Sequence, residues 1–294
     1  MLRIGVDGGG TTTRAVIIDD KLQELGRGEA ASSNHYSVGA ERAVQNILAA
    51  VRAAGEAAGV APGEVDHWGL GLAGACTREE QTMLRERLLP LAKVQTLVVD
   101  EDAAAAQAGA FGGGPGAVCI AGTGANCFGI NEKGERARAD GLGPLLGDRG
   151  SGYWIGEQAL RAVCRAYDGI SPAPLLFEAV LAHFQVASVD ELVQLVYRPD
   201  FEKDRIAALF PIVESCPEAV AESLLIDAGA ELAATAQCVL EKLDVRHVAV
   251  SGGILGRETL VRQAFETTLR DELPGLHIQE PRYDAAIGAA LLVR

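Results

Sequence analysis

Residues 1–14 read MLRIGVDGGGTTTR, a short apolar run carrying an acid, then three glycines, then three threonines. Leu2, Ile4 and Val6 alternate with Arg3 and Gly5, and an apolar run resumes at Ala15-Val16-Ile17-Ile18. Two strands joined by a glycine-rich turn are therefore predicted. Gly8, Gly9 and Gly10 carry no side chains that would keep an anion away from the backbone N–H groups. Thr11, Thr12 and Thr13 add hydroxyl donors beside them. Asp7, at the strand end, is placed to hold a hard cation through its oxygens or through the cation's water shell. The combination suits a nucleotide phosphate with its Mg2+; an ordinary hairpin turn with an exposed acid is the plainer reading of the glycines alone. There is no Gly-x4-Gly-Lys-Ser/Thr, and the glycines lead into a strand, not a crossover helix. A Walker-type loop and a dinucleotide-binding turn are both excluded on that ground.

The 294 residues are ample for one large or two modest domains. Apolar residues make up 48% and charged residues 22%, an ordinary globular balance. With 26 Lys plus Arg against 40 Asp plus Glu, the net charge of −14 repels phosphate backbones, so no nucleic-acid partner is expected. No charged start precedes a long apolar segment, so neither a leader nor a membrane span is expected. The six cysteines are dispersed, without a Cys-x-x-Cys or a paired histidine. They read as reduced residues of a cytoplasmic protein, and a zinc or iron–sulfur site is not supported.

Strands are predicted at residues 2–7, 13–19 and 24–31, a helix at 41–58, a strand at 65–72, a helix at 78–88, a strand at 96–99 and a helix at 103–110. Gly112-Gly113-Gly114-Pro115-Gly116 reads as a linker and hinge. The pattern then restarts: strand 117–120, a turn at Gly122-Thr123-Gly124, strand 126–130, helices from 151 to about 243, and strand 248–250. Two halves that each open on a glycine-turned hairpin imply a duplicated α/β fold with a central cleft.

Asp102 follows the β-branched Val98-Val99 and precedes a helix, at the strand edge that faces the ligand crevice in open α/β sheets. A carboxylate there can accept the proton of a hydroxyl attacking a γ-phosphorus. A helix N-cap is the other reading, and Asp100 and Glu101 compete for the role. Gly122-Thr123-Gly124-Ala125-Asn126 is a second nest able to meet the phosphates from the opposite side. Asp148, in Gly147-Asp148-Arg149-Gly150-Ser151-Gly152-Tyr153-Trp154, suits two sugar hydroxyls, while a helix start capped by Ser151 explains the same string. Asn34 can donate to and accept from an acetamido or hydroxyl group, and His35 is either a ligand contact or a structural histidine. Ser251-Gly252-Gly253 offers flat backbone to an adenine, or is a plain strand–helix turn.

The first loop resembles that of the actin/hexokinase/Hsp70 ATPase superfamily, and the β-β-β-α-β-α-β-α order resembles its ribonuclease-H-like unit. The motifs together, with the tail Ala286-Ile287-Gly288-Ala289-Ala290, resemble the N-acetylglucosamine kinase-like members of the BadF/BadG/BcrA/BcrD ATPase family over nearly the full chain. The resemblance implies two ribonuclease-H-like domains, residues 1–115 with 282–294 and residues 116–281, the final helix returning to the first. It implies ATP and Mg2+, Asp102 as base for the 6-hydroxyl of an amino sugar, sugar contacts at Asn34, Thr123 and Asp148, and a homodimer. Ala73-Gly74-Ala75 and Leu142-Gly143-Pro144-Leu145-Leu146 depart from the family's sugar pocket, so the sugar's identity stays open. Activators of 2-hydroxyacyl-CoA dehydratases share the phosphate loops but bridge an iron–sulfur cluster with cysteines. Cys119 and Cys127 lie in the corresponding region but fall within predicted strands. A catalytically silent sugar sensor would lack the base, and Asp102 is present.

Overall fold

The computed structural model describes residues 1–293. The chain forms two compact units: Met1–Val118 with Gly129–Glu135 and the segment from Pro281, and Cys119–Phe128 with Arg136–Glu280. The first opens on β1 (Arg3–Gly8), β2 (Thr12–Ile18) and β3 (Glu24–Ala31), followed by α1 (His35–Val38) and α2 (Ala40–Ala58). It continues with β4 (His67–Leu72), α3 (Arg78–Ala92), β5 (Thr96–Glu101) and α4 (Asp102–Phe111). Its sheet runs β3-β2-β1-β4-β5, antiparallel through β1–β3 and parallel from β1 to β5.

Strand parity divides the apolar residues between the two faces of that sheet. Ile4, Val6, Ile17, Trp68, Leu70 and Leu72 share one core with Leu84 and Leu88 of α3 and with α2, whose Val44, Ile47, Val51 and Ala54 recur at helical spacing. Residues of opposite parity, Val16 and Ile18, pack on Ala286, Ile287 and Ala290. Gly5 and Asp7, the register partners of Val16 and Arg14, share that second face.

The second sheet begins with β6 (Gly116–Ala121), β7 (Ala125–Ile130) and β8 (Arg136–Asp140). Then come α5 (Gly152–Tyr167), α6 (Pro174–Phe184), α7 (Val189–Val196), α8 (Asp204–Ala207), α9 (Phe210–Ser215) and α10 (Ala219–Leu243). The remaining elements are β9 (His247–Ser251), α11 (Gly252–Leu255), α12 (Leu260–Glu272), β10 (His277–Gln279) and α13 (Ala285–Leu291), the last in the first unit. The strand order is β10-β9-β6-β7-β8. Among the described residues α10 is long and apolar enough to cross a membrane. Its buried Leu225, Ala228, Leu232, Ala236, Val239 and Leu243 fall on one stripe, and Gly229 lets it close on α12, so it is a core helix here.

The strand predicted at 65–72 starts only at His67, because Pro62–Glu64 forms a 3-10 turn into which the Val65 N–H is tied (3.2 Å to the Pro62 carbonyl). The helix predicted at 78–88 runs on to Ala92, with Pro90 accommodated in its last turn. β8 and β10 have no counterpart among the predicted elements. Both are edge strands; β8 reads RARAD, with no fully buried residue, and β10 has three residues.

Candidate functional site

The string Asp7-Gly8-Gly9-Gly10-Thr11-Thr12-Thr13 divides into residues that build a loop and residues left to meet a ligand. Gly8 is buried, and a Cβ there would lie 2.3 Å from Ser33 Oγ and 2.5 Å from Leu72 Cδ2, so its glycine serves packing. The Gly9 N–H closes the turn on the Thr12 carbonyl (3.0 Å). Thr13 is fully buried and its hydroxyl donates to the Ala31 carbonyl (2.7 Å), so it presents nothing to the loop. Gly10 and Thr11 are exposed, a Cβ on Gly10 would meet nothing within 4 Å, and Thr12 is half-buried beside them. This open lip is where an anion can reach the backbone.

A second loop is moored to the first. Ser32 Oγ donates to the Gly9 carbonyl (3.2 Å), Asn46 Nδ2 to the Ser32 carbonyl (2.6 Å), and the Ala73 N–H to the Gly8 carbonyl (2.7 Å). Asn34 caps α1, its Oδ1 accepting from the Tyr36 N–H (3.0 Å). Ser33 Oγ and His35 Nδ1 are buried without a partner among the described residues. Gly74, at φ +88°, lies under this loop: a Cβ there would sit 3.1 Å from Asn34 Oδ1 and 3.3 Å from His35 Cε1. The departure noted at Ala73-Gly74-Ala75 thus keeps the one glycine the packing requires.

The three consecutive acids at the junction of β5 and α4 are not equivalent. Asp100 and Glu101 are buried, and Asp100 Oδ1 accepts from the Glu101 N–H (2.9 Å). Asp102 is partly exposed at the first position of α4, its Oδ1 accepting from the Ala103 N–H (2.8 Å). Burial, and next the neighbouring Asp102 charge, push the Asp7 carboxyl up to about 6; Arg14 and Arg27 oppose this and Asp284 reinforces it. Two carboxylates whose charges act on each other at one end of the sheet suit a hydrated divalent cation. Among the described residues no three or more metal-ligating side chains cluster, so a cation held here would complete its shell with water and phosphate oxygens.

A carboxyl that binds its proton more tightly folded than unfolded contributes stability at low pH and loses it as pH rises from 3.8 to about 6. For Asp7 the loss is on the order of 3 kcal/mol. Asp7→Asn is expected to raise the melting temperature of the ligand-free protein at pH 8 by several degrees, the gain shrinking as pH falls below 6. Melts of both proteins from pH 4 to 8 check this, and a variant less stable at pH 8 contradicts it.

In the second unit the Gly122 N–H donates to the Gly124 carbonyl (2.9 Å). The first amides of α5 donate back to this turn, Gly152 to the Gly122 carbonyl (2.8 Å) and Tyr153 to that of Thr123 (3.1 Å). Asp148 is buried at φ +57°, and its Oδ1 accepts from the Ala125 N–H (3.2 Å). A Cβ on Gly124 would lie 2.9 Å from Asp148 Oδ2, so the glycine makes room for the carboxylate. Burial raises the Asp148 carboxyl, the Ala125 bond opposes this, Asp140 adds to it and Arg138 lowers it. Asn126 Oδ1 is buried without a partner among the described residues. Ser151 caps α5 through the Trp154 N–H (3.1 Å), so the helix start read in the 147–154 string forms without using the Asp148 carboxylate.

Gly252, at φ +92°, packs on the end of β6, where a Cβ would lie 2.2 Å from the Ala121 carbonyl oxygen. Gly253 is open and, with Gly122, Thr123 and Gly152, lines a cavity of about 390 Å3; Ser251 lies outside its lining. Phe210, Pro211 and Arg257 also line it. The Arg257 guanidinium sits 5.3 Å from the Phe210 ring centroid, pairs with Glu214 (2.7 Å) and donates to the Gly253 carbonyl (2.9 Å). A ring and a planar cation beside bare backbone suit a purine. These wall residues carry no sequence signal, because Phe210 and Pro211 open the short helix α9 and Arg257 lies in the loop between α11 and α12, with no motif linking them. Cys119 and Cys127 are fully buried in β6 and β7, and bonding to Cys119 together with burial holds the Cys127 thiol well above its ordinary value. Neither is a loop thiolate available to a cluster.

Known proteins share this architecture. An N-acetylmuramic acid/N-acetylglucosamine kinase of Clostridium acetobutylicum is 29% identical, the match covering 99% of this chain and 97% of that one. An N-acetyl-D-glucosamine kinase of Dictyostelium discoideum is 28% identical over 98% and 96%. The solved structure of a candidate N-acetylglucosamine kinase from Chromobacterium violaceum superposes with a TM-score of 0.81 at 29% identity, covering 100% of this chain and 99% of that one. The two α/β units accordingly have the actin-like sugar-kinase fold. The BadF/BadG/BcrA/BcrD ATPase family model matches residues 4–293, and the chain belongs to that family.

Proposed function

We propose that the protein is an ATP-dependent kinase that phosphorylates the 6-hydroxyl of an amino sugar, N-acetylglucosamine or glucosamine, in the cytoplasm and as a homodimer. The observation that carries the proposal is the partly exposed Asp102, whose charge acts on Asp7, in a chain whose full-length relatives carry amino-sugar kinase names. The functional domains are taken as residues 1–115 with 282–294 and residues 116–281.

Gly10, Thr11 and Thr12 bind phosphate, as do Gly122, Thr123 and Gly124, and the cavity beside Gly253 takes the purine. Asn34, His35, Thr123, Asn126 and Asp148 hold the sugar. Asn34 acts there as a donor through Nδ2, its Oδ1 being engaged by the Tyr36 N–H. Asp102 orients O6 and receives its proton as the new O6–phosphorus bond forms and the bond from the γ-phosphorus to the bridging oxygen of ADP breaks. Mg2+, held by Asp7, neutralises charge on the transferring phosphates when bound.

The test is a panel of N-acetylglucosamine, glucosamine, N-acetylmuramic acid and glucose with ATP and Mg2+, following ADP release and locating the new phosphate by NMR. Phosphate on O6 of an amino sugar is expected. ADP release with none of the amino sugars, or phosphate at another hydroxyl, defeats the proposal.

A further inference from the structure

We propose that Asp140 is the positioning residue for Asp148, an inference that rests on Asp148 as a sugar contact. Asp140 ends the polar edge strand β8 in the left-handed region, at φ +63°. Its two carboxylate oxygens accept from consecutive backbone amides eight and nine residues on: Oδ1 from the Asp148 N–H (2.6 Å) and Oδ2 from the Arg149 N–H (3.0 Å). Two charge-assisted bonds to adjacent amides fix the direction of that peptide as well as its place. Asp148 lies at the fixed point, itself at φ +57°, a conformation costly for a residue with a side chain unless its surroundings impose it.

The surroundings of Asp140 are built for this contact. A Cβ on Gly147 would lie 2.1 Å from Asp140 Oδ1, so the glycine before Asp148 clears space for the Asp140 carboxylate. Arg138 brackets the corner from behind, Nε donating to the Asp140 carbonyl (3.3 Å) and a terminal N–H to the Gly141 carbonyl (2.8 Å). The fixed Asp148 then turns its side chain onto the Ala125 N–H, beside Gly124. The chain of causes runs from the Asp140 carboxylate, through the Asp148 and Arg149 amides, to the position of the Asp148 carboxylate. Asp140 touches no substrate in this scheme.

The Ala125 amide reports where the Asp148 carboxylate sits, independently of activity. Asp140→Ala and Asp140→Asn are compared with wild type by residue-resolved amide exchange, acceptor and ATP kinetics, and melting temperature. Asparagine can accept from only one of the two amides, so it gives an intermediate effect and carries the test if the alanine variant fails to fold. The expected result is faster exchange at Ala125, Asp148 and Arg149. Sugar kcat/KM falls on the order of 10- to 100-fold, as for a contact misplaced by about 1 Å, with the KM for ATP unchanged. In an Asp148→Asn background the same substitution adds little, because the two residues act as one unit. An unchanged Ala125 amide overturns the inference, and so does a full additive loss in the Asp148→Asn background. A freed Ala125 amide with unchanged sugar kinetics upholds the positioning and removes Asp148 from the sugar contacts, so the two readings fail separately.

Discussion

Asp102→Asn is expected to lower kcat by about 10²- to 10⁴-fold, the usual contribution of general-base assistance. The KM for the sugar should change far less. The amide is nearly isosteric and keeps an oxygen that can accept a hydrogen bond, so the hydroxyl is still oriented while its proton has no basic acceptor. Asp100→Asn and Glu101→Gln are the controls. Both of those side chains are buried, and the Asp100 carboxylate already accepts from the Glu101 N–H, so their loss should appear in stability before it appears in turnover. Asp102 also raises the Asp7 carboxyl through its charge. Removing that charge should let Asp7 ionise at lower pH, shifting the acid limb of the Mg2+ dependence downward. A full-rate Asp102→Asn enzyme, or a larger loss of turnover at Asp100 or Glu101, would overturn the assignment.

Local pattern revealed the hairpins and not the use of their residues. The alternation in residues 2–7 and the run after residue 14 are properties of single strands, and both strands form within a residue of their predicted ends. Whether a given glycine in Asp7-Gly8-Gly9-Gly10 faces a ligand or a neighbour depends on Ser33 and Leu72, which approach Gly8 from other parts of the chain. Thr13 reads like Thr11, yet its hydroxyl is spent on Ala31 across the sheet. At β5 the sequence leaves three acids in competition; only the end of the strand and the start of α4 separate Asp102 from the other two. Asp140 and the Phe210–Arg257 wall stay hidden for the same reason. Asp140 meets an amide 8 residues away and Arg257 meets Glu214 43 residues away and the Phe210 ring 47 residues away, and no periodicity marks them.

The sheet face that carries Asp7 also carries the largest expected effect on stability. Gly5 on β1 and Gly69 on β4 are register partners under α13. A Cβ on Gly5 would lie 1.9 Å from the Ala286 carbonyl oxygen, and one on Gly69 would lie 1.9 Å from that of Ala289. Both obstacles are helix backbone, which cannot swing aside as a side chain can. Gly5→Ala must therefore lift α13 from the sheet, exposing Val16 and Ile18 where Ala286, Ile287 and Ala290 now cover them. Overpacking a core typically costs about 1–3 kcal/mol. With a backbone obstacle the upper end applies, so the melting temperature should fall by roughly 5–10 °C. Gly69→Ala should do nearly the same. The double variant should lose clearly less than the sum, since one displaced helix relieves both contacts. Gly10→Ala is the control: a Cβ there meets nothing within 4 Å, so its stability should stay within about 0.5 kcal/mol of wild type. Thermal melts of the four variants decide the matter. Additive losses from Gly5→Ala and Gly69→Ala would mean that each glycine serves its own strand, and a wild-type melting temperature for Gly5→Ala would mean that α13 does not rest on this face.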